Sequence, residues 1–354
     1  MRYVLIGDGE SPHLLKWARA LAQVQGIELW AASSRGFAAG FDAAVPLSRC
    51  LALNTQPRAQ GGNAALLLEL PRLARWLRYV RADWLHAHYL SSHGTLSWLA
   101  QRFCGVGGRL VGSAWGSDIL LAPRRSIWMR WLTRRVLQHC VLTTSDSQVM
   151  AQEMRMLGAR DVMVFPFGLE VMPPAPQHKE PHLFFANRGL EPIYDPLRVI
   201  DVFAGIAAHW PDATLVVANL GSMLAATRAH ASALGERVQF VGRLDAATQA
   251  TWYSRASWYL SLPKSDSVAV SVLEAMAHGC VPILSDLPAN RELVHDGGNG
   301  IIVDGGTLLA HPALQNLAGQ AERIGADNRA WVQQHALFGP CVQAFLARLR
   351  TLSA

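Results

Sequence analysis

Short uninterrupted apolar runs alternate along the chain with longer segments whose apolar residues recur at helical spacing. Strands that are apolar on both faces belong in a parallel sheet covered by helices on either side. On this pattern residues 3–6, 27–32, 50–53, 84–88, 109–113, 141–145 and 162–165 are predicted strands of a first α/β unit. Residues 183–186, 213–218, 238–241, 258–262, 281–284 and 301–303 are predicted strands of a second. Helices are predicted over 65–80, 124–140, 147–157, 195–210, 222–234, 246–256, 268–278 and 286–296, and from 304 to the end. The proline-rich run after Gly168 separates the halves as an extended spacer. The expected division is a first domain at 1–168, a linker at 169–180, a second domain at 181–335 and a C-terminal helix at 336–354.

The stretch 258–306 breaks its own pattern at one place. Val268, Val270, Val272, Leu273, Ala275, Met276 and Ala277 leave the predicted helix almost no polar face, yet Glu274 sits in its middle. A carboxylate in such a helix requires a cation or hydroxyl donors. Before it, Lys264-Ser265-Asp266-Ser267 offers helix N-cap chemistry, and Gly279 offers a C-cap. Helix starts at the carboxyl ends of parallel strands carry unpaired amides suited to an anion. An anion is therefore expected near Ser267–Ser271, with Val268, Ala269, Val270 and Ser271 around it and Asp266 and Glu274 binding hydroxyls on either side.

Asp266 and Glu274, with LEAMAHGCVPILSD and HDGGNGIIV, resemble the nucleotide-sugar site of the retaining glycosyltransferases of family 4 (glycosyl transferases group 1), whose pattern is Glu-x7-Glu, L-E-A-M-A-x-G-x-P-V and G-x-N-G. The resemblance implies the GT-B fold, two Rossmann-like parallel-sheet domains facing across a cleft. Here Asp replaces the first Glu of the pattern. By the same resemblance Glu274 holds the ribose hydroxyls and Asp266 the hydroxyls of the donor sugar. Arg188, after a strand in Asn187-Arg188-Gly189, contacts the donor pyrophosphate, for which a guanidinium has the bidentate geometry. Tyr194 stands where the family usually has a Lys. Lys264 is either the replacement cation or a free surface lysine. Gly242, Arg243 and Leu244 match the loop that cups the base, and Gly7 and Gly9 the glycine turn beneath the donor phosphates. In SAWGSDIL, Trp115 replaces a His that contacts the donor sugar, and Asp118 is an acceptor-side residue or a helix cap. His88 and His93, near the end of the strand 84–88, either line the acceptor side or pack in the core. The implied chemistry is transfer from a nucleotide-diphosphate sugar with retention, by attack of the acceptor on the face the nucleotide leaves. It needs neither cofactor nor metal; Arg188, Asp266, Glu274 and Asp118 carry it. Two alternatives are a non-catalytic partner of the same fold and a nucleotide-sugar epimerase.

Composition narrows the setting. With 51% hydrophobic and 16% charged residues the chain reads as an ordered two-domain protein, and no apolar run is long enough to span a bilayer. The N-terminus reads as a strand, so a cytoplasmic location is expected. The five cysteines lie far apart and show no zinc or disulfide spacing. Up to residue 178 the chain has 19 Lys+Arg against 11 Asp+Glu; beyond it there are 13 against 15. This basic first half has no nucleic-acid motif and suits an acidic surface. Arg and Trp share the predicted helix 124–140, which is either a solvated basic face or a contact with an anionic membrane. The resemblance implies as partners the nucleotide sugar and a glycan or lipid-linked acceptor of a bacterial-type surface polysaccharide such as lipopolysaccharide, on the acceptor-side first domain; the basic helix adds a peripheral contact with the inner membrane face.

Overall fold

The computed structural model describes residues 1–55, 64–304 and 312–353, which form two compact units. The first comprises Met1–Phe165 and Gly339–Ala354, the second Pro166–Phe338.

The first unit holds a seven-stranded parallel sheet of β1 (Arg2–Gly9), β2 (Glu28–Phe37), β3 (Cys50–Ala52), β4 (Trp84–His88), β5 (Arg109–Ser113), β6 (Leu142–Ser145) and β7 (Val162–Val164), in the order β3-β2-β1-β4-β5-β6-β7. Its core joins Val4, Ile6, Leu85 and Leu110 on the strands to helical Leu73, Leu77, Val136 and Met150. Helices start where hydroxyls can cap them: Ser11, Ser126 and Ser147 each accept a backbone N–H of the first turn. From Gly339 onward the long helix Phe338–Ser353 belongs to this unit, seating Phe345 against Trp17 and Arg348 on Asp161 at 2.7 Å.

The second unit holds a six-stranded parallel sheet of β8 (Glu180–Ala186), β9 (Thr214–Ala218), β10 (Val238–Gly242), β11 (Ala256–Ser261), β12 (Val281–Ser285) and β13 (Ile301–Val303), in the order β10-β9-β8-β11-β12-β13. Phe184, Trp258, Ile283 and Ile301 fill one of its faces, and Phe185, Tyr259, Leu273 and Met276 the other. Full burial of such side chains contributes about 1.5–3 kcal/mol each. In both sheets the strand order reverses once, at β1/β4 and at β8/β11. Crevices for ligands open at the carboxyl ends of strands at such points.

Several expected boundaries move, for identifiable reasons. Gly7-Asp8-Gly9 is not a turn but the end of β1. It stays in the sheet because the Gly9 amide donates to Ser33 Oγ at 2.8 Å, and β2 continues past it to Phe37. The single helix expected over 124–140 is two, Ala122–Arg125 and Ile127–His139, because Ser126 turns to an extended conformation and caps the second. The helix expected over 65–80 divides at Glu69 into Ala64–Leu68 and Leu70–Val80, and part of the loop expected before it lies outside the described residues. The run 169–180, expected as a spacer, is anchored within the second unit. There Arg329 donates to the carbonyls of Pro173 and Pro174, and the Leu169 amide to Ala336 O at 2.9 Å.

That anchoring leaves no room at Gly168, where a Cβ would run into the Ala336 carbonyl. Gly168→Ala is expected to destabilise the protein by about 1–3 kcal/mol in thermal denaturation. Gly339→Ala, whose Cβ meets nothing within 4 Å on a helix, should leave stability unchanged or raise it by up to about 1 kcal/mol.

Candidate functional site

At the reversal point of the second sheet, the segment after β8 and the segment after β11 bring Arg188 and Asp266 together. Arg188 Nη2 donates to Asp266 Oδ2 at 2.6 Å, with side chains only 17% and 20% exposed. Nη1 donates to Ser271 Oγ at 3.2 Å, and the guanidinium carbon lies 4.4 Å from the centre of the Tyr194 ring. Burial is the largest single effect on Arg188 and works to discharge it, but Asp266, Tyr259 and Tyr194 together outweigh it and the guanidinium pKa is raised. At Asp266 burial is the larger effect; it raises the carboxyl pKa although Arg188 pulls it down.

Ser271 lies in the first turn of the helix Val270–Ala277. The expected side-chain cap is absent. Ala269 is the N-cap residue and makes no side-chain cap bond, because Asp266 turns to Arg188 and to its own neighbour's amide, Ser267 N, at 3.0 Å. The helix thus opens beside the guanidinium without a side-chain cap bond from its N-cap residue, with Val268 and Ala269 buried ahead of it. An anion placed there meets the positive end of the helix dipole and a fixed cation.

Glu274, one turn on, is half-buried rather than sealed in the core. Its Oε2 accepts from Tyr253 Oη at 3.1 Å and Gln249 Nε2 at 3.4 Å. Tyr253 Oη lies 3.2 Å from Ser271 O and accepts from Asn187 Nδ2 at 2.8 Å, while Tyr259 Oη donates to Asn187 Oδ1 at 2.6 Å. Arg188 and Glu274 are therefore joined through Ser271 and Tyr253. Asn187, Gln249, Tyr253 and Tyr259 did not stand out in the sequence, because the tyrosines sit in WYSRASWY and read as core aromatics.

The remaining second-unit residues lie around this centre. Lys264 is largely exposed, and its Nζ is 3.6 Å from Asp195 Oδ1, so an acid already shares its charge. Gly242, at φ +71°, accepts from the Asn219 amide at 2.6 Å; Arg243 is exposed and Leu244 packs on the core.

In the first unit the sequence-selected residues gather at the ends of β1, β4 and β5. At Gly7 a Cβ would lie 2.9 Å from Leu14 Cδ1, so the end of the Leu14 side chain would have to shift to admit one. His86 is engaged at both nitrogens, with Tyr3 Oη at 2.8 Å and Ser113 Oγ at 2.7 Å. His88 accepts from Trp115 Nε1 at 3.2 Å, and His93 Nδ1 meets His88 O at 2.8 Å. The Nε2 atoms of both His88 and His93 are buried without a hydrogen-bond partner among the described residues. Burial holds both neutral, His93 down to about 4. Trp115 stacks near His13 at 4.3 Å and Tyr89 at 6.0 Å. Tyr89 has a left-handed φ of +64° and opens a π-helical turn, a combination that collects at functional sites. Asp118 is 1% exposed, and its carboxyl also draws on its own amide and that of Ile119 in the first turn of the helix Ser117–Leu120, as a cap does. Its two oxygens accept the amides of Trp115 at 2.9 Å and Leu90 at 2.8 Å, tying two loops together. Among the described residues no group of His, Cys, Asp and Glu has the arrangement of a metal site.

Comparison with known proteins matches two family models to the chain: "Glycosyl transferases group 1" over residues 169–311 and "Glycosyl transferase 4-like" over residues 3–147. A phosphatidyl-myo-inositol mannosyltransferase of Mycobacterium leprae is 25% identical over 86% of this chain and 82% of its own length. A related mannosyltransferase of Mycolicibacterium smegmatis is 26% identical over 47% of this chain and 44% of its own. Among solved structures, Anabaena HepE in complex with UDP and glucose superposes with a TM-score of 0.76 at 15% identity over all of both chains. The sucrose-phosphate synthase of Thermosynechococcus elongatus gives the same TM-score of 0.76 at 15% identity, again over the whole of both chains.

Burial raises the Asp118 carboxyl to about 6, against which its amide hydrogen bonds pull down. The native state therefore keeps a proton that the unfolded chain releases at lower pH. The stability this group contributes is complete below the unfolded value near 4 and is lost as pH rises to about 6. Asp118→Asn should remove that part of the pH dependence, of order 3 kcal/mol. It should also cost about 1–3 kcal/mol at low pH by leaving one amide unpaired. Urea denaturation of both proteins between pH 4 and 7 measures this; parallel stability curves would contradict it.

Proposed function

Because the chain belongs to the group 1 glycosyltransferases and has their GT-B fold, we propose that this nucleotide-sugar-dependent enzyme transfers its sugar with retention of configuration, and that Arg188 and the opening of the helix Val270–Ala277 hold the leaving diphosphate. The observation that carries the reading is the convergence of a buried guanidinium, fixed by Asp266 at 2.6 Å and Ser271 at 3.2 Å, on a helix start at the reversal point of the sheet. Charge that develops on a departing diphosphate is stabilised by groups already in place. Asp266 and Glu274 supply hydroxyl acceptors at the two ends of the donor, and Tyr253 sets the orientation of Glu274. Gly242, Arg243 and Leu244 flank the base, with Lys264 and Tyr194 beside the diphosphate. Since no carboxylate is assigned as nucleophile, the acceptor hydroxyl attacks the face the nucleotide leaves, and a phosphate oxygen takes its proton. No metal ion is assigned a part.

The first unit takes the acceptor. Gly7 and Gly9 shape its strand end, and His88, His93 and Trp115 border it, with Asp118 holding their loops. A lipid-linked or glycan acceptor of surface-polysaccharide type fits the outer face of the helix Ile127–His139. There Ile127 is 90% exposed, Trp128 is stacked on Trp131 at 4.8 Å, and Arg130, Arg134 and Arg135 share the helix. Apolar and basic groups on one surface helix suit an anionic bilayer. Among the described residues no helix is long and apolar enough to cross one.

Transfer or donor hydrolysis across a panel of nucleotide sugars tests the site. Arg188→Ala should lower turnover about 10²–10³-fold. Glu274→Ala should mainly raise the donor KM, by about tenfold for a lost hydrogen bond to a charged group. Wild-type turnover in both variants would contradict the assignment. In vesicle co-sedimentation, binding to phosphatidylglycerol should fall sharply for Trp128→Ala/Trp131→Ala and in high salt; equal binding to neutral and anionic vesicles would remove the membrane contact.

A further inference from the structure

A cavity of about 310 Å³ lies at the carboxyl ends of β1, β2 and β3, lined by Glu10, Arg35, Gly36, Asn54 and Thr55. It is built by an irregularity in the sheet. Gly7 pairs with Ser33 but Gly9 pairs with Phe37, so β2 carries extra residues opposite Asp8. Such bulges re-aim a side chain and are common beside functional sites. Ser33, fully buried, pins this one: its Oγ accepts from the amides of Gly9 at 2.8 Å and Arg35 at 3.0 Å and donates to Gly36 O at 2.7 Å. The fit requires glycine at position 9, where a Cβ would meet Gly36 O at 2.5 Å. The bulge turns Arg35 onto two acids, Asp8 at 3.6 Å and Glu10 at 3.5 Å. On the third strand's side, Asn54 holds a left-handed φ of +56°, and Thr55 Oγ1 donates to Ser34 O at 2.6 Å. Non-glycine residues kept in that region cluster at ligand clamps.

We propose that this cavity binds a neutral polyhydroxylated ring, the sugar or cyclitol part of the acceptor; the acceptor role rests on the function proposed above. The chemistry of the wall selects the ligand. Glu10 in the wall and Asp8 beside it both lie against the Arg35 guanidinium, so its charge is already compensated and the pocket disfavours phosphate. Carboxylate, guanidinium, amide and hydroxyl together offer the alternating acceptors and donors that vicinal hydroxyls require. The volume falls at the small end of the range for ligand sites, enough for one ring.

Saturation-transfer NMR with myo-inositol, methyl α-mannoside and methyl α-glucoside as neutral probes, and inorganic phosphate as the anionic one, tests the proposal on the full chain. At least one neutral probe should bind the wild type and Arg188→Ala alike. Its affinity should fall about tenfold or more in Glu10→Gln and Arg35→Gln, the loss expected for a hydrogen bond to a charged group. Both variants should keep the wild-type melting temperature, and phosphate should not displace the probe. Absence of binding by all three neutral probes, displacement by phosphate, or affinity unchanged in both variants would overturn it. Nucleoside diphosphate binding in the same samples bears on the proposed function, while the neutral probes alone decide the pocket.

Discussion

The contact between Arg188 and Asp266 sets the terms for everything around it. Each charge is mostly withdrawn from water, and at 2.6 Å each is the other's compensation. Desolvation nevertheless dominates at the carboxylate, whose pKa stays raised. A buried pair of this kind adds little to stability, yet removing one partner strands the other and costs about 3–5 kcal/mol. The pair does fix a guanidinium. With Ser271 on one side and the Tyr194 ring against it, Arg188 keeps one position at the mouth of a helix whose N-cap residue, Ala269, makes no side-chain cap bond.

Sheet topology explains why these groups meet. Arg188 follows β8 and Asp266 follows β11, and these strands are neighbours at the one place where the order reverses. Their carboxyl ends therefore converge while the connecting segments diverge. Behind them Asn187, Tyr253 and Tyr259 form a buried polar wall whose hydrogen bonds run to Glu274. A wall of this kind is costly if half-satisfied and rigid when complete.

Much of this was legible in the chain because strands buried on both faces are written as plain apolar runs. Trp84–His88, Arg109–Ser113 and Ile301–Val303 fall where that pattern puts them. Glu274 stood out for the same reason, as the polar residue of an apolar helix. What stayed hidden depends on contacts between distant segments. A tyrosine hydroxyl carries no sign in sequence of whether it meets a carboxylate, so Tyr253 passed for core. Asp118 lies in the first turn of a short helix and reads as a cap, but that it also takes the amides of Leu90 and Trp115, which flank different strands, has no sign in sequence. The polar residues Ser33, Ser34 and Arg35 looked like the end of a strand, although a bulge carries β2 through them. Lys264 and Tyr194 could be placed beside the site, but the Asp195 that shares the lysine's charge could not.

The first unit gathers its candidate residues in the same way, at strand ends beside a reversal, with a left-handed φ at Tyr89 and, among the described residues, unpartnered Nε2 atoms on His88 and His93. The central claim nevertheless belongs to the second unit: a fixed guanidinium and a helix start recognise the second phosphate of a nucleotide. Calorimetric titration of the protein with a nucleoside diphosphate and with its matching monophosphate, in wild type and Arg188→Gln, measures that contribution directly. The diphosphate should bind the wild type about tenfold or more tightly than the monophosphate, and the difference should collapse in the variant. Equal affinity for the two nucleotides in the wild type would contradict the claim, as would a preference that survives the loss of the guanidinium.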